Sequence, residues 1–333
     1  MPMKGNAMLN RRDLLRSAAL LPAALPLSLP AIDSAHAQSI DLLKLFVPAA
    51  PGGGWDQTAR TIEQVLRATG AVKGVQITNV AGAGGAVGLP QFLNQWKGQG
   101  NALMVAGMVM VGAIIANKSP VRLAQATPIA RLTGEFLALV VPAQSPFTSA
   151  KDFAAALKAD PAKVPVAGGS AGGSDHILLG MIAKALGVAP SKVSYVAFAG
   201  GGPATAALLG NQVAAGISGY GEFAEQVKAN KLRVLAISAD KRQQDIAAPT
   251  LKEEGIDVEL FNWRGVFAPP GVNDTQRKAM IALMERMTAT PQWAEACKMR
   301  EWTQITLLGD EYKAFLETET ARIEGILKEL GLA

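Results

Sequence analysis

Beyond residue 40 the apolar positions fall into short runs that alternate with segments of helical period. Runs at 42–47, 75–80 and 103–106 read as strands, and helical patterns occupy 56–69, 85–96 and 111–117. That alternation is the rhythm of a parallel sheet with helices on its faces. A continuous apolar run at 133–142, TGEFLALVVP, stops at Pro142, and a helix at 149–159 follows with Ser149 placed to cap it. The rhythm then restarts. Strands are predicted at 164–166, 193–198, 213–217 and 234–237, with helices at 175–186, 203–209 and 222–229. After Asp240 there is one strong strand, 260–268, with helices at 274–288, 291–300 and 310–330 and a further strand-like segment at 303–307. So few strands cannot make their own sheet, so this last third is expected to rejoin the first.

The predicted fold class is therefore α/β, a two-lobe architecture with a ligand cleft between the lobes. Residues 38–138 would begin lobe 1, 139–238 would form lobe 2, and 239–333 would return to lobe 1 and add C-terminal helices. Two strands would cross between the lobes and act as a hinge near Val140 and Leu235. Open α/β sheets bind ligands at the carboxyl ends of their strands, which places the cleft there.

The first 37 residues stand apart from this pattern. Arg11, Arg12, Leu14, Leu15 and Arg16 precede an Ala- and Leu-rich stretch interrupted by Pro22 and Pro26, and Ala35-His36-Ala37 closes it. A basic start, a short apolar stretch and small residues at the closing positions describe a cleavable export signal. The paired arginines point to the twin-arginine route. The apolar stretch is shorter than the roughly 20 residues that span a membrane. Export to the periplasm with cleavage after Ala37 is the expectation.

The chain of 333 residues carries 32 Lys and Arg against 27 Asp and Glu. The excess shrinks once Lys4, Arg11, Arg12 and Arg16 leave with Asp13 and Asp33, and no basic cluster remains to bind nucleic acid. Cys297 is the only cysteine, which excludes an internal disulfide and a thiolate metal site, and neither a metal nor a cofactor is expected. Once His36 has gone, His176 is the only histidine.

Glycine marks four strand-to-helix corners: LLKLFVPAAPGGGWDQTAR at 42–60, VQITNVAGAGGAVGL at 75–89, VPVAGGSAGGSDHI at 164–177 and VSYVAFAGGGPATAALL at 193–208. A bare backbone loop feeding a helix presents unpaired N–H groups and the positive end of the helix dipole, so it can hold an anion without a basic side chain. Each corner alone could equally be a tight turn. Their recurrence in both predicted lobes implies a pocket for several anionic groups. Dinucleotide binding fails on spacing, because Gly82, Gly84, Gly85 and Gly88 leave Val at position 87, and no glycine run continues into a phosphate loop.

The candidate ligand-binding residues are Gly52, Gly53, Gly54, Trp55 and Asp56; Gly82, Ala83, Gly84 and Gly85; Ser170, Ala171, Gly172, Ser174, Asp175 and His176; and Gly200 and Arg264. Gly53 is expected to need a positive φ. Asp56 is expected to accept loop N–H groups and fix its corner, Ser174 to cap its helix, and Arg264 to offer a direct ion pair. His176 would either line the cleft as a donor or pack as a structural residue, and Trp55 and Trp263 could wall the cleft or simply pack. Ser174, Asp175 and His176 together invite an exported α/β hydrolase as a rival reading. Adjacent residues on a helix start diverge by about 100°, and no nucleophile elbow surrounds Ser174, so no catalytic residue is expected.

Together PAAPGGGWDQTAR, NVAGAGGAVG, GGSAGGSDHILLG, AFAGGGPATAALLGNQV, KLRVLAISADKR and NWRGVFAPPGV resemble the extracytoplasmic solute receptors of tripartite tricarboxylate transporters, the Bug family. The resemblance spans nearly all of the chain after the export signal and looks most like the tricarboxylate branch. It implies a type II periplasmic-binding-protein fold whose closing cleft holds a di- or tricarboxylate such as citrate through loop N–H groups and ordered waters. The loops carried over are 52–56, 82–85 and 170–174. It also implies a monomer that passes its ligand to integral-membrane transporter subunits, or one that serves signalling. Phe198 and Ala199 depart from the family, which often has Tyr and Lys there.

Overall fold

The computed structural model describes residues 40–244 and 246–333, so the expected export signal and the expected cleavage after Ala37 lie outside the described residues. Among the described residues, ten strands and ten α-helices follow one another in the alternating order that the hydrophobic pattern suggests. Strands β1 (Leu42–Val47), β2 (Gly74–Asn79) and β3 (Ala102–Gly107) are parallel neighbours in the order β2-β1-β3. All six residues of β3 are buried, as expected for a parallel strand covered on both faces. Helices α1 (Gly54–Ala68), α2 (Gly88–Gln95) and α3 (Met108–Ala116) complete this part. The apolar side of α1, formed by Trp55, Ala59, Ile62, Val65 and Leu66, recurs at helical spacing and faces the core.

The central element is β4, Thr127–Pro142, which is 16 residues long. It begins six positions before the apolar run that the sequence displays, because Pro128 and Arg131 interrupt the pattern and the pairing shifts register around both. Residues 127–136 of β4 pair with β9 (Phe261–Ala268), and β10 (Thr303–Leu308) lies along its other edge. From Leu137 onward β4 pairs instead with β7 (Ala215–Gly219) and β8 (Leu232–Ile237). Its side chains alternate across the sheet. Leu137, Leu139 and Val141 enter the large core, whereas Ala138 and Val140 enter a smaller one with Ala204, Leu208 and Phe223.

The second half adds β5 (Val166–Gly168) and β6 (Tyr195–Ala197), giving the order β6-β5-β7-β4-β8. The first half reads β2-β1-β3-β9-β4, so both halves carry one antiparallel strand inserted at the same place. Helices α4 (Ala150–Ala159), α5 (Ser174–Ala185), α6 (Gly201–Leu209) and α7 (Tyr220–Lys228) belong to the second half. Helices α8 (Asp274–Thr288), α9 (Pro291–Met299) and α10 (Gly309–Glu329) follow the return. Ser149 caps α4 in a reciprocal box with Asp152, and Asn273 does the same for α8 with Gln276.

Among the described residues only one strand, β4, runs through both halves. The sequence suggests a second crossing strand near Leu235, but β8 stays in the second half, and the described residues of the return, 238–244 and 246–260, form no strand or helix that crosses. Ser238, fully buried, clasps that return. Its N–H donates to Leu137 O at 2.8 Å, its Oγ donates to Leu260 O at 2.6 Å, and Leu137 N–H donates back to Oγ at 2.9 Å. A polar residue is tolerated there because all its hydrogen-bonding groups are used.

Candidate ligand-binding site

The corner after β1 is shaped by Asp56, which is 2% exposed. Its carboxylate accepts from Gly52 N–H at 2.9 Å, Asn79 Nδ2 at 3.0 Å and Arg60 Nε at 2.8 Å. Burial opposes the negative charge, but Arg60, Gly52 and Asn79 hold the carboxyl below its usual range. Gly52 has φ +88°, a conformation that favours glycine. The expectation for Gly53 is overturned: it is the N-cap of α1 with φ −76°, and a Cβ there would meet only Ala50 O at 3.7 Å. Gly54 is glycine for lack of space, since a side chain would strike Arg264 and Glu222.

The corner after β5 repeats the plan. Gly173, not Ser174, is the N-cap of α5, and Ser174 is its first helical residue. Ser174 Oγ donates to Asp175 Oδ1 at 2.8 Å, and Asp175 Oδ2 accepts from Gly169 N–H at 2.7 Å. His176 accepts from Gly172 N–H through Nδ1 at 3.1 Å and stacks on Tyr195, with ring centroids 4.2 Å apart. Burial lowers its pKa and favours the neutral ring. The serine is engaged with Asp175 and the histidine with Gly172, so the two do not form a nucleophile and base.

The corners after β2 and β6 complete the set. Gly82, Ala83, Gly84 and Gly85 all have positive φ, and Gly200, at φ +127°, caps α6. All four corners meet at one cavity of about 620 Å³, including its open mouth. The first half contributes Pro48, Gly53, Gly54, Trp55, Gly82 and Gly84, and the second Gly169, Ser170, Gly173, Ser174, Asp175 and Gly200. Helix N-termini leave their first N–H groups without intrahelical partners, and here three such termini, those of α1, α5 and α6, border the same space.

The floor was less visible in the sequence. It holds Arg264 and Asn262 of β9, Ser218 at the end of β7 and Glu222 in the first turn of α7. Arg264 is 3% exposed, donates to Glu135 of β4, and lies 3.7 Å from Glu222 Oε1. Burial raises the pKa of Glu135 against the pull of Arg264. Burial, and then the neighbouring Glu135, pushes Glu222 up to about 8. Burial, with a smaller push from Glu135 and against the hydrogen bonds from Gly169 and Ser174, raises Asp175 to about 6. Three acids thus surround one guanidinium, a ratio at odds with Arg264 as a free partner for an anion.

Of the sequence candidates, Gly53, Gly54, Trp55, Gly82, Gly84, Ser170, Ser174, Asp175, Gly200 and Arg264 line the cavity. Gly52, Asp56, Ala83, Gly85, Ala171, Gly172 and His176 do not line it; Asp56, Gly85 and Gly172 are buried in the corners, and Gly52, Ala83 and Ala171 are exposed. Trp263 packs on Tyr312 and Phe315 and donates to Glu319. The sequence reading missed Pro48, Ala49, Val109, Gly169, Ala199, Gly201, Ser218, Glu222 and Asn262 in the lining and Glu135 beneath it. A glutamate inside an apolar run, as Glu135 is, was the available signal.

Glycine corners at the carboxyl ends of two half-sheets, meeting over a shared cavity, define a two-lobe solute receptor of the periplasmic-binding-protein type. The family model for the tripartite tricarboxylate transporter family receptor matches residues 58–332, and the chain belongs to that family. It is similar to Protein BugT of Bordetella pertussis, at 28% identity over 87% of this chain and 89% of that protein. Among solved structures, the periplasmic binding protein BugD superposes with a TM-score of 0.79 at 23% identity, covering 87% of this chain and 98% of that one. MatC from Rhodopseudomonas palustris with bound malate gives a TM-score of 0.76 at 23% identity, with 86% and 98% covered. The R. palustris protein Rpa4515 with adipate gives 0.78 at 19% identity, with 87% and 97% covered.

Proposed function

We propose that the protein is a non-catalytic periplasmic receptor that binds a small di- or tricarboxylate, citrate among the candidates, and delivers it to the membrane subunits of a tripartite transporter. One observation carries this reading: three helix N-termini and the Gly82–Gly85 turn border one cavity whose only lining cation among the described residues, Arg264, is already paired with Glu135. Each terminus favours an anion by up to about 2 kcal/mol when partly buried, so several together reward a ligand with more than one carboxylate. Malate and adipate in structurally similar proteins support the ligand class. Closure would turn on Leu137 and Ser238, where the two halves exchange partners.

A thermal-shift series tests the reading. Ligand at about 100 times its dissociation constant adds about 2.7 kcal/mol, enough for a rise of several degrees. Malate, adipate or citrate should give the largest rise, and acetate, sugars and nucleotides little. In Gly53→Ala the added methyl enters open cavity space, so affinity for the best polycarboxylate should fall about tenfold, with the free protein's melting temperature nearly unchanged. A dominant shift from a sugar or a nucleotide, with none from any polycarboxylate, would overturn the proposal.

A further inference from the structure

Glu222 fills the space that two missing side chains leave. A Cβ on Gly54, the first residue of α1, would lie 2.8 Å from Glu222 Oε1, and one on Gly201, the first residue of α6, would strike Glu222 Oε2. The carboxyl therefore sits at two of the helix starts that border the cavity, one from each half. Its side chain is 8% exposed and lines the cavity. Oε1 faces Arg264 at 3.7 Å, and Oε2 is buried with no hydrogen-bond partner. A charged acceptor buried without a donor is costly, and a hydrogen on that oxygen turns it into a donor on the cavity wall.

The charges around Glu222 leave it no cation of its own. Arg264 of β9 donates to Glu135 of β4, and Asp175 of α5 adds a third carboxyl. Arg300 packs its carbonyl 2.8 Å from where a Cβ on Gly221 would be, but its guanidinium lies over the Trp302 ring at 5.4 Å. Glu301 acts on Tyr220, and on α7 itself Glu225 and Lys228 pair at the surface. Helix α6 brings no titratable side chain, and the first-turn acid of α1, Asp56, is taken up by Arg60. Burial, and then Glu135, push the Glu222 carboxyl up to about 8, with Asp175 adding to them and Arg264 and Ser218 opposing.

We propose, resting on the receptor reading above, that Glu222 is a ligand-facing hydrogen-bond donor, and that the receptor binds its polycarboxylate only together with the proton on Glu222. An ionised Glu222 would set a further anion at the same two helix starts that hold the ligand's carboxylates, and would repel them. The neutral acid removes that repulsion and offers an O–H to a ligand oxygen. The balance is one proton from solvent on Glu222, with no other bond changed. Because the carboxyl touches Gly54 and Arg264 of the first half and Gly201 of the second, the proton is held where the two halves meet. By linkage, drawing that proton off weakens the hold on the ligand.

In the free receptor a carboxyl at about 8 is about nine-tenths protonated at pH 7 and about one-tenth at pH 9. Affinity for malate or adipate, both fully ionised over this range, should therefore fall about tenfold from pH 7 to pH 9. Binding at pH 9 should take up about 0.9 proton, read by titration calorimetry in two buffers of different ionisation heat. In Glu222→Gln, whose amide supplies a donor at every pH, the fall should shrink to about twofold or less and the uptake to about zero. Affinity that stays level or rises with pH, no proton uptake at pH 9, or a folded Glu222→Gln variant that keeps the wild-type fall would overturn the inference and leave the receptor reading intact. The wild-type proton count needs no variant, so it decides the matter if Glu222→Gln fails to fold. Failure of malate, adipate and citrate to bind at either pH would overturn both.

Discussion

The corners after β1 and β5 share one plan and differ in charge balance. In each, a glycine N-cap opens a helix and a buried aspartate in the first turn accepts a loop N–H, Asp56 from Gly52 and Asp175 from Gly169. Asp56 has Arg60 one helical turn on, and its carboxyl is held down. The residue one turn beyond Asp175 is Leu179, which is fully buried, and Asp175 is pushed up to about 6. A carboxylate can therefore be a fixed structural anion in one corner and a titrating group in its twin. What separates them is the depth of burial and the neighbours: Asp56 has Arg60 and Asn79 as partners, whereas Asp175 is more deeply desolvated and lies near Glu135.

The largest break in this comparison should come from Asp56→Ala. It strands the Gly52 N–H and the Asn79 amide and removes three charge-assisted hydrogen bonds, so urea unfolding should show a loss of about 3 kcal/mol. Asp175 should express itself through pH. Between the unfolded carboxyl value of 3.8 and about 6, the native state holds the Asp175 proton more tightly than the unfolded chain does. The stability it contributes therefore declines as pH rises through that window and levels off above it. Asp175→Asn should remove this component, on the order of 2 to 3 kcal/mol between pH 4 and pH 7, as read from the difference between wild-type and variant unfolding curves. The smallest effect should come from Arg60→Met, because Arg60 is 53% exposed. A loss below about 1 kcal/mol is expected, and the Asp56 pKa followed by NMR should move upward, toward its twin.

The corners were legible because glycines clustered at strand ends leave a trace in the sequence whatever the tertiary structure. The helix 274–288 was legible from its helical pattern, and the structure adds the Asn273–Gln276 box that fixes its start. The start of β4 was hidden because Arg131 occupies a strand interior only by virtue of a distant partner, Ile305 O at 2.8 Å, and the Phe315 ring. The floor was hidden for the same reason. Glu222 reads as an exposed first-turn acid until the fold sets it against Gly201 and Arg264, and no local pattern encodes that meeting.

The long strand β4 also fixes the order in which this chain can become a protein. Its pairing partners are β7, β8, β9 and β10, and the earliest begins at Ala215. A ribosome that has delivered everything through Leu209 has released the whole of β4 and none of the segments that cover its edges. Until the later residues emerge, the nascent chain carries a 16-residue strand with two open edges, a template for unwanted pairing with other chains. Contacts so distant in sequence also slow closure of the sheet. The C-terminal third is thus the part of the chain that completes folding, and a product truncated before Phe261 would lack both β9 and β10, leaving the first half of β4 without partners on either edge.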